Sequence, residues 1–207
     1  NHKEDFPIVT SRWEGSEETS YSPLLYAKEM DNIAVVGRGT LIGQGEAWWK
    51  ALHAGELAHA RPRFIYFERC NNVLIEGVTL LDSPAWTVNP VLCQNVTINK
   101  LSIKNPWDSP NTDGINPDSC KNVRISNCQI DVGDDCIAIK SGVETCPEFV
   151  PCENITITNC TMVYGHVGVV IGSEMSGGIR NVVISNCVFD GTDRGIRLKS
   201  RRGRGGY

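Results

Sequence analysis

Six side chains in the second half of the sequence could together break a glycosidic bond. They are three carboxylates, one imidazole and two cations: Asp113, Asp134, Asp135, His166, Arg197 and Lys199. Carboxylates held close together repel, so the pKa of at least one rises, and that group can stay protonated as a general acid while another acts as a base. Glycoside hydrolysis requires these two roles. Since arginine can hold a carboxylate through two hydrogen bonds, the set predicts an acidic polysaccharide or oligosaccharide as the partner.

An internal repeat spaces these residues along the chain. Four segments share the pattern C-x-N-[VI], and two degenerate copies flank them. The repeats begin at Cys70, Cys93, Cys120 and Cys152, and the degenerate copies contain Asn32 and Asn181. The anchor asparagines lie 40, 23, 27, 32 and 27 residues apart, and apolar residues follow them at offsets one and three. Alternation with a period of two indicates strands with one face directed inward.

A second strand is predicted in each of the last three repeats, over residues 137–141, 169–173 and 196–200. Short strands that recur without helical periodicity between them are typical of an all-β solenoid, the right-handed parallel β-helix, in which neighbouring coils pair strand to strand. We expect the anchor asparagines to stack at a turn, where their amides would bond to the neighbouring backbone.

The repeat predicts which chemical groups meet. In such a solenoid, residues at matching offsets on successive coils stand above one another, about 4.8 Å apart. Asp134 and His166 each lie twelve residues after an anchor asparagine, so they share a column. Asp113 and Asp135 each lie two residues before an isoleucine, so they share a second column.

Arg197 and Lys199 alternate with Ile196 and Leu198 on the last predicted strand. We expect the two apolar side chains to point inward, so that both cations face outward beside the carboxylates. The glycine-rich residues 201–206 follow at once, without a capping helix. We therefore expect a truncated β-helix that lacks further C-terminal coils.

One β-helix domain is predicted for residues 1–207. Its first part, about residues 1–60, is less regular, and residues 46–57 (EAWWKALHAGEL) are predicted to form a short helix or a loop. Regular coils are expected from about residue 61 to residue 200.

Composition and cysteine spacing exclude several classes of function. The net charge of −4 argues against a general nucleic-acid binder, and no apolar run approaches the roughly 18 residues of a membrane span. None of the nine cysteines forms a C-x-x-C pair, and the four histidines lack metal-ligand spacing, so no metal or cofactor is predicted. Cysteines that recur at fixed offsets are expected to be free and buried. The one disulfide that we consider joins Cys146 to Cys152.

Four motifs in order carry a family resemblance. They are Asn111-Thr112-Asp113, Asp134-Asp135, Gly165-His166 and Arg197-Leu198-Lys199. They resemble the N-T-D, D-D, G-H-G and R-x-K motifs of the polygalacturonases, glycoside hydrolase family 28. The strings PNTDGINPDSCKNV, GDDCIAIKSG and IGSEMSGG resemble the bacterial, exo-acting branch, and the resemblance covers about residues 12 to 204. It implies hydrolysis of galacturonosyl linkages in pectin with inversion and without a metal. We also expect a monomer located outside the cell or in the periplasm.

The resemblance also implies roles for single residues. Asp134 would be the general acid that protonates the leaving oxygen, and His166 would orient or tune it. Asp113 and Asp135 would be the bases that activate the attacking water.

The substrate-binding residues implied are Arg197 and Lys199, which would hold the substrate carboxylate, and Asn111, which would bond to substrate or to a neighbouring aspartate. One position departs from the family pattern, because Val167 replaces the second glycine of G-H-G. A β-branched side chain there is expected to crowd the ring of His166 or the substrate.

Three other functions stay open at this point. The carboxylates alone do not distinguish galacturonan from rhamnogalacturonan or another decorated pectin. A β-helix of the pectate-lyase type would instead use calcium and a basic residue, and would release an unsaturated product. A non-catalytic carbohydrate-binding β-helix is the third alternative.

Overall fold

The computed structural model describes residues 3–207; residues 1 and 2, which include His2, lie outside the described residues. Within that range the helices are one short 3-10 helix (Lys3–Asp5) and one α-helix, α1 (Glu46–His53). The strands in chain order are β1 (Ile8–Trp13), β2 (Ser16–Tyr21), β3 (Leu25–Lys28), β4 (Asp31–Val36), β5 (Thr40–Ile42), β6 (Ile65–Glu68), β7 (Asn71–Glu76), β8 (Thr79–Leu81), β9 (Val88–Val91), β10 (Gln94–Asn99), β11 (Ser102–Lys104), β12 (Lys121–Ser126), β13 (Gln129–Asp131), β14 (Ile137–Ile139), β15 (Cys152–Thr158), β16 (Thr161–Gly172), β17 (Ile179–Ser185), β18 (Val188–Phe189) and β19 (Thr192–Lys199).

Parallel pairing between successive coils builds three sheets along the solenoid. Sheet 1 contains β4, β7, β10, β12, β15 and β17, and sheet 2 contains β5, β8, β11, β13, the first half of β16 and β18. Sheet 3 contains β3, β6 and β9, continues through single bridges at Ile115 to β14, and ends with the second half of β16 and β19. The right-handed parallel β-helix and the second strand of the last three repeats are therefore confirmed.

The inward columns of sheet 1 follow the predicted offsets. Val96 pairs with Val73 on one side and with Val123 on the other. All three side chains are at most 1% exposed and belong to an apolar core that runs through the coils. A fully buried valine contributes about 1.5–3 kcal/mol, and a slip by one residue would turn every such side chain outward. The stacked columns thus fix the register of the coils.

The repeated cysteines form a ladder inside this core, buried and free as predicted. The ladder consists of Cys70, Cys93, Cys120 and Cys152. The backbone amide of Cys120 donates to Sγ of Cys152 at 3.4 Å. The disulfide considered between Cys146 and Cys152 is wrong, because both thiols are free. Cys146 lies outside the ladder, and its thiol instead donates to the carbonyl of Gly15 at 3.1 Å.

The anchor asparagines stack at a turn, as predicted, but their hydrogen-bond partners differ from the prediction. Nδ2 of Asn122 donates to Oδ1 of Asn95 at 3.0 Å, and Nδ2 of Asn154 donates to Oδ1 of Asn122 at 3.0 Å. The amides therefore bond to one another from coil to coil rather than to the neighbouring backbone. These anchors have φ between 54° and 59°, a left-handed conformation that asparagine tolerates better than other residues with a Cβ.

The N-terminal part contains an antiparallel hairpin, β1–β2, that the sequence did not predict. It packs on the outer face of sheet 3. The ring of Trp13 stacks on Trp86 with centroids 4.6 Å apart, and Nη1 of Arg12 lies 2.9 Å from Oδ1 of Asp118. At the tip, Gly15 approaches Val143 so closely that a Cβ would lie 2.5 Å from Cγ1. The hairpin therefore covers three successive coils on one side of the solenoid.

The segment predicted as a short helix or a loop contains α1, which ends at His53. Its buried Trp48 packs edge-on against Phe6, with centroids 5.1 Å apart, and at 4.9 Å from the ring of Tyr21. The helix thus closes against the N-terminal residues. No helix within residues 3–207 has the length and apolar character needed to cross a membrane.

The last coil keeps the predicted register. Ile196 pairs with Val169 and Leu198 pairs with Ile171, so both continue inward columns. Their side chains are nevertheless 54% and 75% exposed, because no described coil packs on top of them.

Candidate active site

Asp134 and His166 meet on adjacent coils, as the repeat predicts. The backbone amide of His166 donates to the carbonyl of Asp134 at 3.0 Å, and Nδ1 of His166 lies 3.2 Å from Oδ1 of Asp134. The imidazole is 59% exposed and the carboxylate is 21% exposed. This pair therefore faces solvent, where a substrate can reach it.

Asp113 and Asp135 form the second predicted column. Ile115 bridges Ile137, and the amide of Gly114 donates to the carbonyl of Asp135 at 3.0 Å. A side chain at Gly114 would collide, since a Cβ would lie 2.5 Å from the carbonyl oxygen of Cys136. Glycine is required there for the two coils to approach closely.

Both of these carboxyl groups are buried. Burial raises the pKa of Asp113 well above its ordinary value, and the negative charge of Asp134 raises it further. Burial and Asp134 likewise raise the pKa of Asp135, while the charge of Lys199 opposes the rise. Nδ2 of Asn116 donates to Oδ2 of Asp113 at 2.9 Å, which fixes the orientation of that carboxyl group.

The two cations of β19 differ in their surroundings. Nζ of Lys199 lies 3.9 Å from Oδ2 of Asp135. Arg197 stands one outward position earlier, in register with Val170, and is exposed without an ion-pair partner among residues 3–207. Arg197 is thus free to bind an anion, whereas Lys199 already faces a carboxylate of the site.

Among residues 3–207, the side chain of Asn111 forms its hydrogen bond with Arg61 and not with an aspartate. Its Oδ1 accepts a hydrogen bond from Nη2 of Arg61 at 2.6 Å, while Nη1 of the same guanidinium donates to the carbonyl of Pro110 at 2.7 Å. Burial lowers the pKa of Arg61 to about 10, and the charge of Asp113 opposes that shift. The prediction that Asn111 bonds to an aspartate is therefore wrong. Contact between Asn111 and the substrate stays a prediction. Because Oδ1 is occupied by Arg61, Nδ2 would make that contact.

The turn before Asp113 is braced against the turn before Asp134. The hydroxyls of Ser109 and Thr112 lie 2.6 Å apart, and the amide of Gly133 donates to Oγ1 of Thr112 at 3.3 Å. A Cβ at Gly133 would lie 2.4 Å from the carbonyl oxygen of Ser109. The two carboxylate-bearing turns are thus packed backbone to backbone.

Comparison with known proteins identifies the family of the chain. The profile of the family described as glycosyl hydrolases family 28 matches residues 9–207. The chain belongs to this family. It is 41% identical over 194 residues to a probable polygalacturonase of Vitis vinifera, an alignment that covers 90% of this chain and 39% of that protein.

Two solved structures of similar proteins share the fold. One, a hyperthermoactive exopolygalacturonase from Thermotoga maritima, superimposes with a TM-score of 0.91 at 38% identity, covering 100% of this chain and 55% of that one. The other, a polygalacturonase from Erwinia carotovora ssp. carotovora, gives a TM-score of 0.80 at 30% identity and covers 96% of this chain and 53% of that one. The chain thus spans roughly half the length of these relatives or less.

Val167 departs from the G-H-G motif, and its packing explains how this family 28 chain accommodates it. The side chain is fully buried in a small apolar cluster with Ala138 and Val170, separate from the main core. Its carbonyl accepts the amide of Cys136 at 2.8 Å. The valine fills space between coils, which favours a supporting role over the crowding expected from the sequence.

One group within residues 3–207 has the spacing of a metal site. Ligand atoms of Asp134, Asp135 and His166 lie within 4.8 Å of one another. Calcium prefers six to eight oxygen ligands, whereas a set of two carboxylates and an imidazole is closer to the preference of zinc. The donor set therefore does not favour the calcium chemistry that the lyase alternative requires.

Proposed function

We propose that the protein hydrolyses α-1,4-galacturonosyl linkages of pectin or polygalacturonate and acts from the chain end. One observation carries this proposal: the Asp134–His166 pair lies directly next to the buried column of Asp113 and Asp135. Two carboxyl environments, one facing solvent and one buried, lie side by side, and Arg197 is exposed on the neighbouring strand β19. The family membership and the names of the similar proteins support galacturonan as the substrate.

In the proposed mechanism, Asp134 gives its proton to the oxygen of the leaving sugar, and His166 orients that carboxyl group through the 3.2 Å contact. Asp113 and Asp135 accept a proton from the attacking water. The raised pKa values belong to the two proposed bases, whereas the sequence predicts a raised pKa for the acid. A raised pKa makes each of these carboxylates a stronger base once it is ionised, and a catalytic pKa close to the operating pH is the most effective.

Binding of the substrate carboxylate is assigned to Arg197 and Lys199. Arg197 is suited to a bidentate contact with a carboxylate. Lys199, at 3.9 Å from Asp135, would link the bound uronic acid to the base. The free Nδ2 of Asn111 would donate to a sugar hydroxyl, with its Oδ1 held by Arg61.

Action from the chain end is proposed on two grounds. The hairpin β1–β2 covers the outer face of sheet 3 from Trp86 to Val143, so a polymer could not continue across that side. In addition, the similar Thermotoga maritima structure is named an exopolygalacturonase. A pectin substrate fits a location outside the cell or in the periplasm, and a monomeric protein.

Inversion at the anomeric carbon is proposed from the family resemblance. One oxygen of Asp134 lies within 4.8 Å of one oxygen of Asp135, which is shorter than the roughly 6.5–9.5 Å typical of inverting pairs. The stereochemical course therefore needs a direct measurement. Proton NMR of the first product should show the β anomer, which then mutarotates, and the α anomer as first product would refute inversion.

Product analysis on polygalacturonate, with and without a chelator, tests the activity itself. Monomeric galacturonate alone, with one new reducing end per bond broken, is the expected result. An unsaturated product that absorbs in the ultraviolet and disappears with the chelator would establish a lyase instead. Turnover of rhamnogalacturonan alone would reassign the sugar, and binding without turnover would indicate a non-catalytic module.

A further inference from the structure

A buried ion pair that the proposed mechanism does not use lies next to the active site. Nζ of Lys140 is 2.7 Å from Oε2 of Glu174, and the two residues are only 5% and 7% exposed. A lysine charge is expensive to bury unless it is paired. Such a pair often adds little net stability compared with apolar residues of similar volume, so its position calls for another explanation.

The coil register places this pair beside the proposed bases. Trp86 lies two residues before Val88, and Asp113 lies two residues before Ile115, which bridges Val88. Trp86 and Asp113 therefore share a column on adjacent coils. Nζ of Lys140 lies 4.8 Å from the centre of the Trp86 ring, so the side chain of Lys140 reaches back along the outer face of sheet 3 towards this column.

Lys140 supplies positive charge beside the two proposed bases. Asp113 is surrounded by the carboxylates of Asp134 and Asp135, and the cations that oppose them there are Lys140 and Arg61. Other titratable groups lie near the same carboxylates and near Lys140. Lys199 and His166 face Asp135. Glu174 and Glu14 face Lys140, and the thiol of Cys136 faces Asp113 and Asp135.

The cation itself is stably charged. Burial alone lowers the pKa of Lys140, but the negative charges of Glu174 and Asp113 outweigh burial and raise it above its ordinary value. Lys140 in turn opposes the upward shift in the pKa of Asp113 and of Asp135. Arg61 donates its hydrogen bonds to Asn111 and to two backbone carbonyls. Lys199 lies at the exposed edge of the site.

We propose that Lys140, held by Glu174 and packed against Trp86, is the positioning residue that keeps Asp113 and Asp135 ionised so that they can accept the proton of the attacking water. This inference rests on the proposed hydrolase function. It adds to that function a cation that touches neither substrate nor water. Glu174 sets the strength of this effect, because it partly neutralises the lysine charge.

The pH dependence of kcat/KM on oligogalacturonate distinguishes this role from a structural one. The acidic limb of that profile reports ionisation of the base in the free enzyme. Lys140→Met removes the charge while keeping much of the length, so the limb should move to higher pH by about one unit or more, as a change in base pKa requires. Glu174→Gln keeps the lysine and should move the limb to lower pH.

Arg12→Met is the matched control, because it breaks a second buried ion pair on sheet 3, to Asp118 at 2.9 Å. It should lower stability without moving the limb. Melting temperatures measured for all three variants show which of them fold. An unchanged limb in a folded Lys140→Met or Glu174→Gln protein would overturn the proposal, as would an equal movement in Arg12→Met.

A readout without turnover separates this inference from the proposed function. In an Asp134→Asn background, the carboxyl 13C signal of Asp113 can be titrated by NMR with and without Lys140→Met. The midpoint should rise when the lysine is removed. If the wild-type protein fails to hydrolyse galacturonan, the proposed function fails, whereas an unchanged midpoint refutes the role of Lys140.

Discussion

Asp113, Asp135 and Asp134 differ in how far solvent reaches them, and this difference separates their proposed roles. Asp113 and Asp135 are 3% and 4% exposed, and burial raises the pKa of both. Asp134 is more accessible and contacts an exposed imidazole. A proton donor must reach the leaving oxygen of a large polymer, while a base needs to reach only a water molecule, so this order of exposure suits the assigned roles.

Asp134→Asn should lower kcat on oligogalacturonate by about 10²–10⁴-fold, the usual contribution of general acid catalysis. The amide has nearly the same shape, so binding measured by calorimetry should change little. Asp131→Asn is the matched control, because Asp131 lies on the same coil in β13 and outside the site. Retention of more than about a tenth of wild-type turnover in Asp134→Asn would contradict its role as the acid.

Asp113→Asn should abolish hydrolysis and yet raise the melting temperature at neutral pH. The pKa of Asp113 is higher in the folded protein than in the unfolded chain, so the folded state binds more protons and wild-type stability falls as pH rises through that interval. The gain should shrink below the ordinary pKa of an aspartate, where the group is protonated in both states. Each 1 kcal/mol corresponds to about 2–4 °C for a chain of this size.

Thermal melts at pH 3 and pH 7 check this prediction. Asp118→Asn provides the contrast, because Asp118 is equally buried but accepts a hydrogen bond from Arg12. Removing that charge should lower the melting temperature at pH 7. A lower melting temperature of Asp113→Asn at pH 7 would show that the carboxylate stabilises the fold.

At the level of strands and turns, the anchor asparagines are the features from which the sequence predicts the register of the coils. Counting from each anchor gave the column of Asp134 with His166, and counting back from Ile115 and Ile137 gave the column of Asp113 with Asp135. Both counts hold because stacked coils allow only one register when their apolar faces are buried. The contact of Arg61 with Asn111 could not be found this way, since Arg61 lies at the start of the regular coils, eleven residues before the anchor Asn72. Lys140 was missed because an outward lysine on a strand usually faces water.

The hairpin β1–β2 escaped prediction for a related reason. Its strands carry polar residues with little alternation, and its position depends on contacts far along the chain, such as Trp13 with Trp86. Local patterns cannot report such distant packing. The burial of Val167 is another case, because only the neighbouring coil supplies Ala138 as its partner.

Val167→Gly should destabilise the protein by about 2–4 kcal/mol and lower turnover. It removes a fully buried side chain from the cluster with Ala138 and Val170 and adds backbone freedom within β16. Val183→Gly in β17 is the matched control, since that valine is 55% exposed, and it should cost only about 0.5–1 kcal/mol. Urea denaturation measures both. Unchanged or higher turnover in Val167→Gly would restore the interpretation of valine as a defect.

Asn122→Ala should cost more than Asn122→Gly in the free energy of unfolding. Both changes remove the amide bonds to Asn95 and Asn154. Alanine must also adopt φ near 58°, which costs roughly 1–2 kcal/mol, whereas glycine does so without strain. Urea denaturation of the two variants gives the difference. Equal losses would mean that the turn relaxes when the asparagine is removed.

At the scale of the whole molecule, the hairpin β1–β2 covers one side of the solenoid next to the proposed active site. Trp13 and Arg12 attach the hairpin to residues of successive coils, Trp86 and Asp118. The hairpin thus contacts sheet 3 through its first strand and the following segment through its tip.

Trp13→Ala should weaken the attachment of the hairpin to sheet 3, because it removes the stack on Trp86. The expected result is a shift in products from galacturonate monomers towards longer oligogalacturonates, because internal segments of the polymer could then enter. Chromatography of early products measures the shift, and Trp107→Ala, which removes an exposed tryptophan outside the hairpin, serves as control. Monomers alone from a folded Trp13→Ala protein would show that another element blocks the polymer.

Asp134 and His166 are positioned relative to separate anchors. The number of residues that connect one coil to the next can therefore change without changing the position of either residue within its coil. Asp134 and His166 each lie twelve residues from their own anchor, although the anchors themselves are 32 residues apart. An insertion after Ser141 and before Cys152 would leave both counts unchanged, and doubling the length of a flexible loop costs only about 0.6 kcal/mol. Loop libraries grafted at this point could therefore be screened for new sugar selectivity while Asp134 and His166, the proposed acid and its partner, stay in place.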